Sequence, residues 1–181
     1  MSPVDLSYAK SGERPGVESI RSMSMSLRGW TVGWALFEGE QAREVGHFTI
    51  RDTVKGGQKV PCYQRVMGAM SEAGKNAVRF QARIIVSHTS NTHGPLWALA
   101  PTLAMSLGAT YGDMPDWKEH IGKDIKELRG WAVLLLGKEP DDETEVLALG
   151  LGAAAANARL KTAVQAEPVT MEAVSSAARP E

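Results

Sequence analysis

Cysteine is almost missing from this chain. Cys62 stands alone in 181 residues, so neither an intramolecular disulfide nor a cysteine-built metal cage can form. Its expected role is that of a small buried apolar side chain. Long apolar runs are missing too: none approaches the ~20 residues that span a bilayer, and the first residues, MSPVDLSYAKSGERPG, lack the apolar core of an export signal. No membrane contact is expected, and a cytoplasmic location follows by default. Neither sign of charge dominates, with 20 Lys and Arg against 21 Asp and Glu. The chain is therefore not basic throughout, and any hold on nucleic acid must come from a local patch. The four histidines, His47, His88, His93 and His120, are scattered without HExxH-like spacing, so each is expected at the surface or in packing.

What is present suffices for one well-filled core. Residues 1–17 and 161–181 are poor in core formers and read as flexible tails around a single domain, 18–160. Within it, "VESIRSMSM", "TVGWALFEG" and "AREVGHFTI" alternate or are rich in β-branched and aromatic residues. They read as an antiparallel meander whose second turn is Glu38-Gly39-Glu40-Gln41. In the first strand Met23 and Met25 share one face and Ser22, Ser24 and Ser26 the other, the pattern of a half-buried strand whose serine face looks into a cleft. A helix follows from Pro61, with Tyr63, Val66, Met67, Met70, Ala73 and Val78 near helical spacing. "ARIIVS", residues 82–87, is a short apolar run expected as a central strand.

Beyond the polar stretch "HTSNTHG", "PLWALAPTLAMSLG" reads as a helix kinked at Pro101, and "ATYGDM" as a brief edge or crossover strand. "PDWKEHIGKDIKELRGWAVLLLG" gives one or two helices broken near Gly122. The final helix opens with Asp141 or Asp142 as N-cap and has an Ala/Leu-rich body. The order is that of an α/β fold, with a mixed sheet whose first three strands are antiparallel and helices that flank it.

Asp142 and Glu145 lie three residues apart, on one face of that last helix and near its start. In isolation they are an ordinary solvated face, each favoured by the helix dipole by about 0.3–1 kcal/mol. Their surroundings add more. "SLRGWTVGWAL", the strand ending at residue 87, and "KELRGWAVLLLGKEPDDETEVLALGLGAAAA" follow one another in this order. Over residues 18–158 the chain resembles the RuvC-type Holliday junction resolvases, an RNase H-like family, and particularly their phage and phage-like members.

The resemblance implies a phosphodiesterase site of four carboxylates holding two Mg²⁺ ions about 4 Å apart. Asp142 and Glu145 match the family's last two. The family's first Asp falls on Ser24, and the Glu ending its central strand falls on Ser87. A serine hydroxyl is a neutral, weak ligand for a hard cation, so Mg²⁺ binding is expected to be weak or absent. A shift of one residue would bring His88 to the strand end, but alternation is expected to turn it to the opposite face.

DNA contact needs only cations and backbone amides. Its candidates are Arg28, Arg51, Lys55, Lys59, Arg65, Lys118, Lys123 and Lys126, of which Lys55 to Arg65 resemble a basic loop beside a nuclease cleft. The tryptophans read as core or interface residues, with Trp97 the one to test against bases. The family's partners are a four-way DNA junction and a second copy of the chain, and the apolar helix from Pro95 to Leu107 is a candidate dimer interface. Three functions stay open: a branched-DNA binder with lost or impaired nuclease activity, an active Mg²⁺-dependent junction endonuclease with an altered site, and a protein-interaction module on a resolvase fold.

Overall fold

The structure is a computed structural model that describes residues 19–52, 54–55, 58–88, 94–113 and 125–166. Seven strands and four helices are defined there: β1 (Arg21–Arg28), β2 (Thr31–Glu38), β3 (Gln41–Thr49), β4 (Val54–Lys55), β5 (Gln58–Lys59), α1 (Cys62–Phe80), β6 (Ile84–Ser87), α2 (Leu99–Leu107), β7 (Thr110–Asp113), α3 (Ile125–Leu136) and α4 (Glu143–Ala166). The main sheet has the order β3-β2-β1-β6-β7, and β4 with β5 makes a separate two-stranded ribbon. β1, β2 and β3 are joined antiparallel, whereas β1–β6 and β6–β7 run parallel.

The meander forms where two-residue turns interrupt the alternating segments. Gly29 follows β1 and Gly39 follows β2, each with positive φ (60° and 61°), a conformation that glycine adopts without steric cost. The expected turn at Glu38–Gln41 is thus present. β1 covers Arg21–Arg28, a few residues beyond the segment expected from "VESIRSMSM".

β1 is central, and both its faces are buried. Met23, Met25 and Leu27 join Val32, Trp34, Leu36 and Ile85 under α1 and α2. On the other face Ser24 donates a hydrogen bond to the Ala148 carbonyl of α4 at 2.6 Å. Ser22, Ser24 and Ser26 are only 3%, 1% and 6% exposed. The serine face therefore looks at a helix and not into an open cleft, which corrects the half-buried expectation. Small side chains let α4 lie almost on the sheet. A Cβ on Gly33 would come within 2.1 Å of the Thr144 backbone, and one on Gly152 within 2.0 Å of the Phe37 ring.

The same economy governs α1. Its buried residues are Ala69, Ala73 and Ala77, while Tyr63, Met67 and Val78 are exposed. Of the expected stripe, Ala73 is buried and Val66 and Met70 pack against the core, whereas Tyr63, Met67 and Val78 do not, because close approach to the sheet selects small side chains. Cys62 is exposed as well, against the expectation of burial. Pro101 lies in the first turn of α2, where its missing N–H has no helical partner to lose, so no kink is needed there. Gly94 to Ala98 form turns ahead of α2, and α4 runs to Ala166, into the stretch read as a tail. Among the described residues no helix is long and apolar enough to cross a membrane. The break expected near Gly122 lies outside the described residues.

Candidate functional site

The start of α4 is fastened to the sheet by an interlocking set of hydrogen bonds. Asp142 precedes the helix as its N-cap: Oδ1 accepts from the Thr144 N–H at 2.8 Å and from the Thr144 hydroxyl at 2.5 Å. Glu145 reaches back, and its Oε2 accepts from the Asp141 N–H at 2.9 Å. The arrangement is like a capping box displaced by one residue at each end, with Asp142 accepting from Thr144 and Glu145 from Asp141. Both carboxylates therefore serve the cap.

Glu145 has a further partner. His47 of β3 stands opposite Gly33 in the β2–β3 register, and its Nδ1 lies 2.8 Å from Glu145 Oε1. An ionised carboxylate only accepts, so Nδ1 carries the proton and donates. Glu145 is 3% exposed with both oxygens engaged. Outside it, Arg28 Nη1 donates to Glu143 Oε2 at 2.7 Å. The hydrogen bond from the Thr144 hydroxyl is the main cause holding the Asp142 carboxyl below the ordinary range. Its partial burial opposes that shift, and the Thr144 N–H and the nearby His47 and Arg28 assist it.

The serines divide differently from their alignment. Ser24 pairs with Ala35 and bonds to Ala148, a full turn into α4. Ser26 pairs with Gly33, over which Thr144 lies, so Ser26 is the β1 residue level with the first turn of α4. Ser87 is level with Met25 and lies on its face, its hydroxyl 3.0 Å from that of Tyr111, which packs beneath α1 and α2. Burial raises the phenol pKa of Tyr111. The sheet thus separates Ser87 from Asp142 and Glu145. His88 directly follows β6, beyond the β1–β6 register, which ends with Met25 opposite Ser87.

A two-ion centre fits these residues poorly. Hard divalent cations need several oxygen ligands, yet both Glu145 oxygens and Asp142 Oδ1 already accept internal hydrogen bonds. Among the described residues no three His, Cys, Asp or Glu side chains are grouped to hold a metal. His47 is the residue that sequence reasoning missed. The available signal was its place on the third strand, opposite the glycine of "TVGWAL", which only strand register reveals.

The cations expected to meet DNA are equally varied. Arg28 is exposed beside the site, and Arg51, Lys59 and Lys126 are exposed. Lys55 is placed in the backbone of β4. Arg65 is instead an internal brace, its guanidinium 3.6 Å from the centre of the Trp30 ring, 2.8 Å from the Ile50 carbonyl and 3.2 Å from Asp52. Lys118 and Lys123 lie outside the described residues. Trp97 is exposed, and Trp34 is buried in the core.

No family model matches the chain, and no curated protein does. Solved structures do. One is Thermus thermophilus RuvC, at 14% identity and a TM-score of 0.59, over 77% of this chain and 97% of that one. Another is T. thermophilus RuvC in complex with a Holliday junction substrate, at 14% identity and a TM-score of 0.61, over 78% of this chain and 97% of that one. The five-stranded mixed sheet, antiparallel through its first three strands and flanked by helices on both faces, is a RuvC-like, RNase H-like fold.

Proposed function

We propose that this chain is a RuvC-like protein, of the phage-like kind, that binds branched DNA and whose metal-dependent nuclease chemistry is lost or impaired. The observation that carries the second half is Glu145. It is buried with both oxygens engaged, and Ser24 and Ser87, onto which two of the resembled family's carboxylates fall, are neutral, buried and hydrogen-bonded elsewhere. The first half is supported by the near-complete coverage of a RuvC whose solved complex holds a Holliday junction. Phosphate contact does not depend on the lost carboxylates; Arg28, Arg51, Lys55 and Lys59 supply its charge, with Lys118 and Lys123. A two-fold homodimer matches the symmetry of a four-way junction.

The retention of Asp142 and Glu145 together favours a second reading, an active junction endonuclease. The reciprocal cap accounts for both residues without catalysis, which places this reading second. Purified protein incubated with a labelled four-way junction, with Mg²⁺ or Mn²⁺ and without, separates the two. Binding without cleavage is the expected result. Nicking that requires the divalent ion and disappears in Asp142→Asn would overturn the loss of chemistry, and absence of binding to any branched DNA would overturn the DNA reading.

A further inference from the structure

The start of α4 gathers three carboxylates, Asp142, Glu143 and Glu145, into one turn. Like charges at that spacing repel, and a buried carboxylate is costly unless it is paired. The helix dipole offsets part of this. Thr144 donates to Asp142 and the Asp141 N–H to Glu145, and two side chains from the sheet add to these. His47 of β3 donates to the buried Glu145 at 2.8 Å, and Arg28 at the end of β1 donates to Glu143 at 2.7 Å. β1 and β3 flank β2, and β2 contributes Gly33, where the helix backbone comes closer than a Cβ would allow. The two donors thus straddle the line of closest contact.

We propose that Arg28 and His47 form a resident clasp on the acidic start of α4: His47 holds Glu145, a carboxylate that a divalent ion would otherwise engage, and Arg28 holds Glu143 beside it. The helix is thereby docked without metal, and the site is closed to one. This inference rests on reading the site as a degenerate relative of the two-ion centre, but it concerns docking and metal access, not DNA.

The test uses the full chain as wild type, His47→Ala, and the double variant Arg28→Ala/His47→Ala. Thermal midpoints are measured in EDTA and in Mn²⁺, and Mn²⁺ binding is measured by calorimetry. The wild type should melt identically in both and give no binding heat. The double variant should melt lower in EDTA by roughly 5–10 °C, and Mn²⁺ should restore part of that loss by engaging the released carboxylates. The His47 side chain is about one-third exposed, so free imidazole can enter the gap and should raise the midpoint of His47→Ala. If the double variant folds only with Mn²⁺, the clasp is supported. If it stays unfolded in Mn²⁺ and imidazole does not rescue His47→Ala, the residues act through packing and the clasp fails. It fails equally if the wild type binds Mn²⁺ and is stabilised by it, or if the double variant melts like wild type in EDTA. Junction binding, scored on the same samples, judges the DNA reading separately, since a metal-blind wild type keeps the clasp whether or not it binds a junction.

Discussion

Arg65 shows how one side chain can pass for another kind. Its neighbourhood in sequence, among Lys55, Lys59 and two glycines, is that of a phosphate-binding loop. Its side chain is nevertheless 11% exposed, stacked on Trp30 and bonded to Ile50 and Asp52. Lysine keeps the charge but loses the planar fork and the stacking surface. Arg65→Lys should therefore cost about 1–2 kcal/mol in urea unfolding, most of it through lost stacking and the Ile50 hydrogen bond. A phosphate-contacting arginine would tolerate the change with stability untouched. Asp142 gives a second residue-level prediction. Its folded pKa lies below the unfolded value of about 4, because Thr144 donates to the charged form. The stability this contributes is present above that value and is lost as pH falls through the lower folded one. Asp142→Asn keeps an N-cap acceptor but removes this acid-sensitive contribution. Its unfolding free energy should fall less steeply than that of wild type below pH about 4, while Asp142→Ala should cost about 1 kcal/mol at neutral pH.

At the level of elements, the legible part was the alternation and the hidden part was the neighbour. Ser–Met steps announce a strand, and Met23 and Met25 do occupy one face. That the serine face is buried too depends on α4, whose glycines and alanines lie more than a hundred residues away. Apolar periodicity found only part of the inner face of α1 for a related reason: it took in Ala73, Val66 and Met70 but weighted Tyr63 and Met67 above Ala69 and Ala77, which the distance from the sheet chose. The consequence can be measured. Gly33→Ala places a Cβ 2.1 Å from the backbone of Thr144, where no side-chain motion can relieve it. The helix start must move off the sheet, at a cost of about 3 kcal/mol or more in chemical denaturation. Met67→Gln, on the exposed face of α1, should stay within roughly 0.5 kcal/mol of wild type.

At the scale of the whole molecule, the mixed sheet and its antiparallel start were readable because each element carried its own pattern. The site was only half readable because it is made by register between elements. One carboxylate pair announced itself on α4, but which residues of β1 and β6 share its face depends on pleat and pairing. Ser26 lies level with the first turn of α4 and His88 follows the end of β6, whereas Ser24 is a turn deeper and Ser87 lies behind the sheet. Two engineered variants separate these assignments. Ser24→Asp/Ser87→Glu puts one charge against the Ala148 carbonyl and another beside Tyr111, both in fully buried places where the Tyr111 hydroxyl is the nearest donor to the second and a carbonyl faces the first. It should lose about 3–5 kcal/mol at neutral pH and gain no affinity for Mn²⁺. Ser26→Asp/His88→Glu, combined with His47→Ala to release Glu145, places one new carboxylate level with the first turn of α4 and another just past the end of β6. Calorimetric Mn²⁺ binding should then appear, with a higher thermal midpoint in Mn²⁺ than in EDTA. Should the Ser24/Ser87 pair acquire the metal instead, the register argued from the sheet would be wrong, and the serine that matters would be the one the motif first indicated.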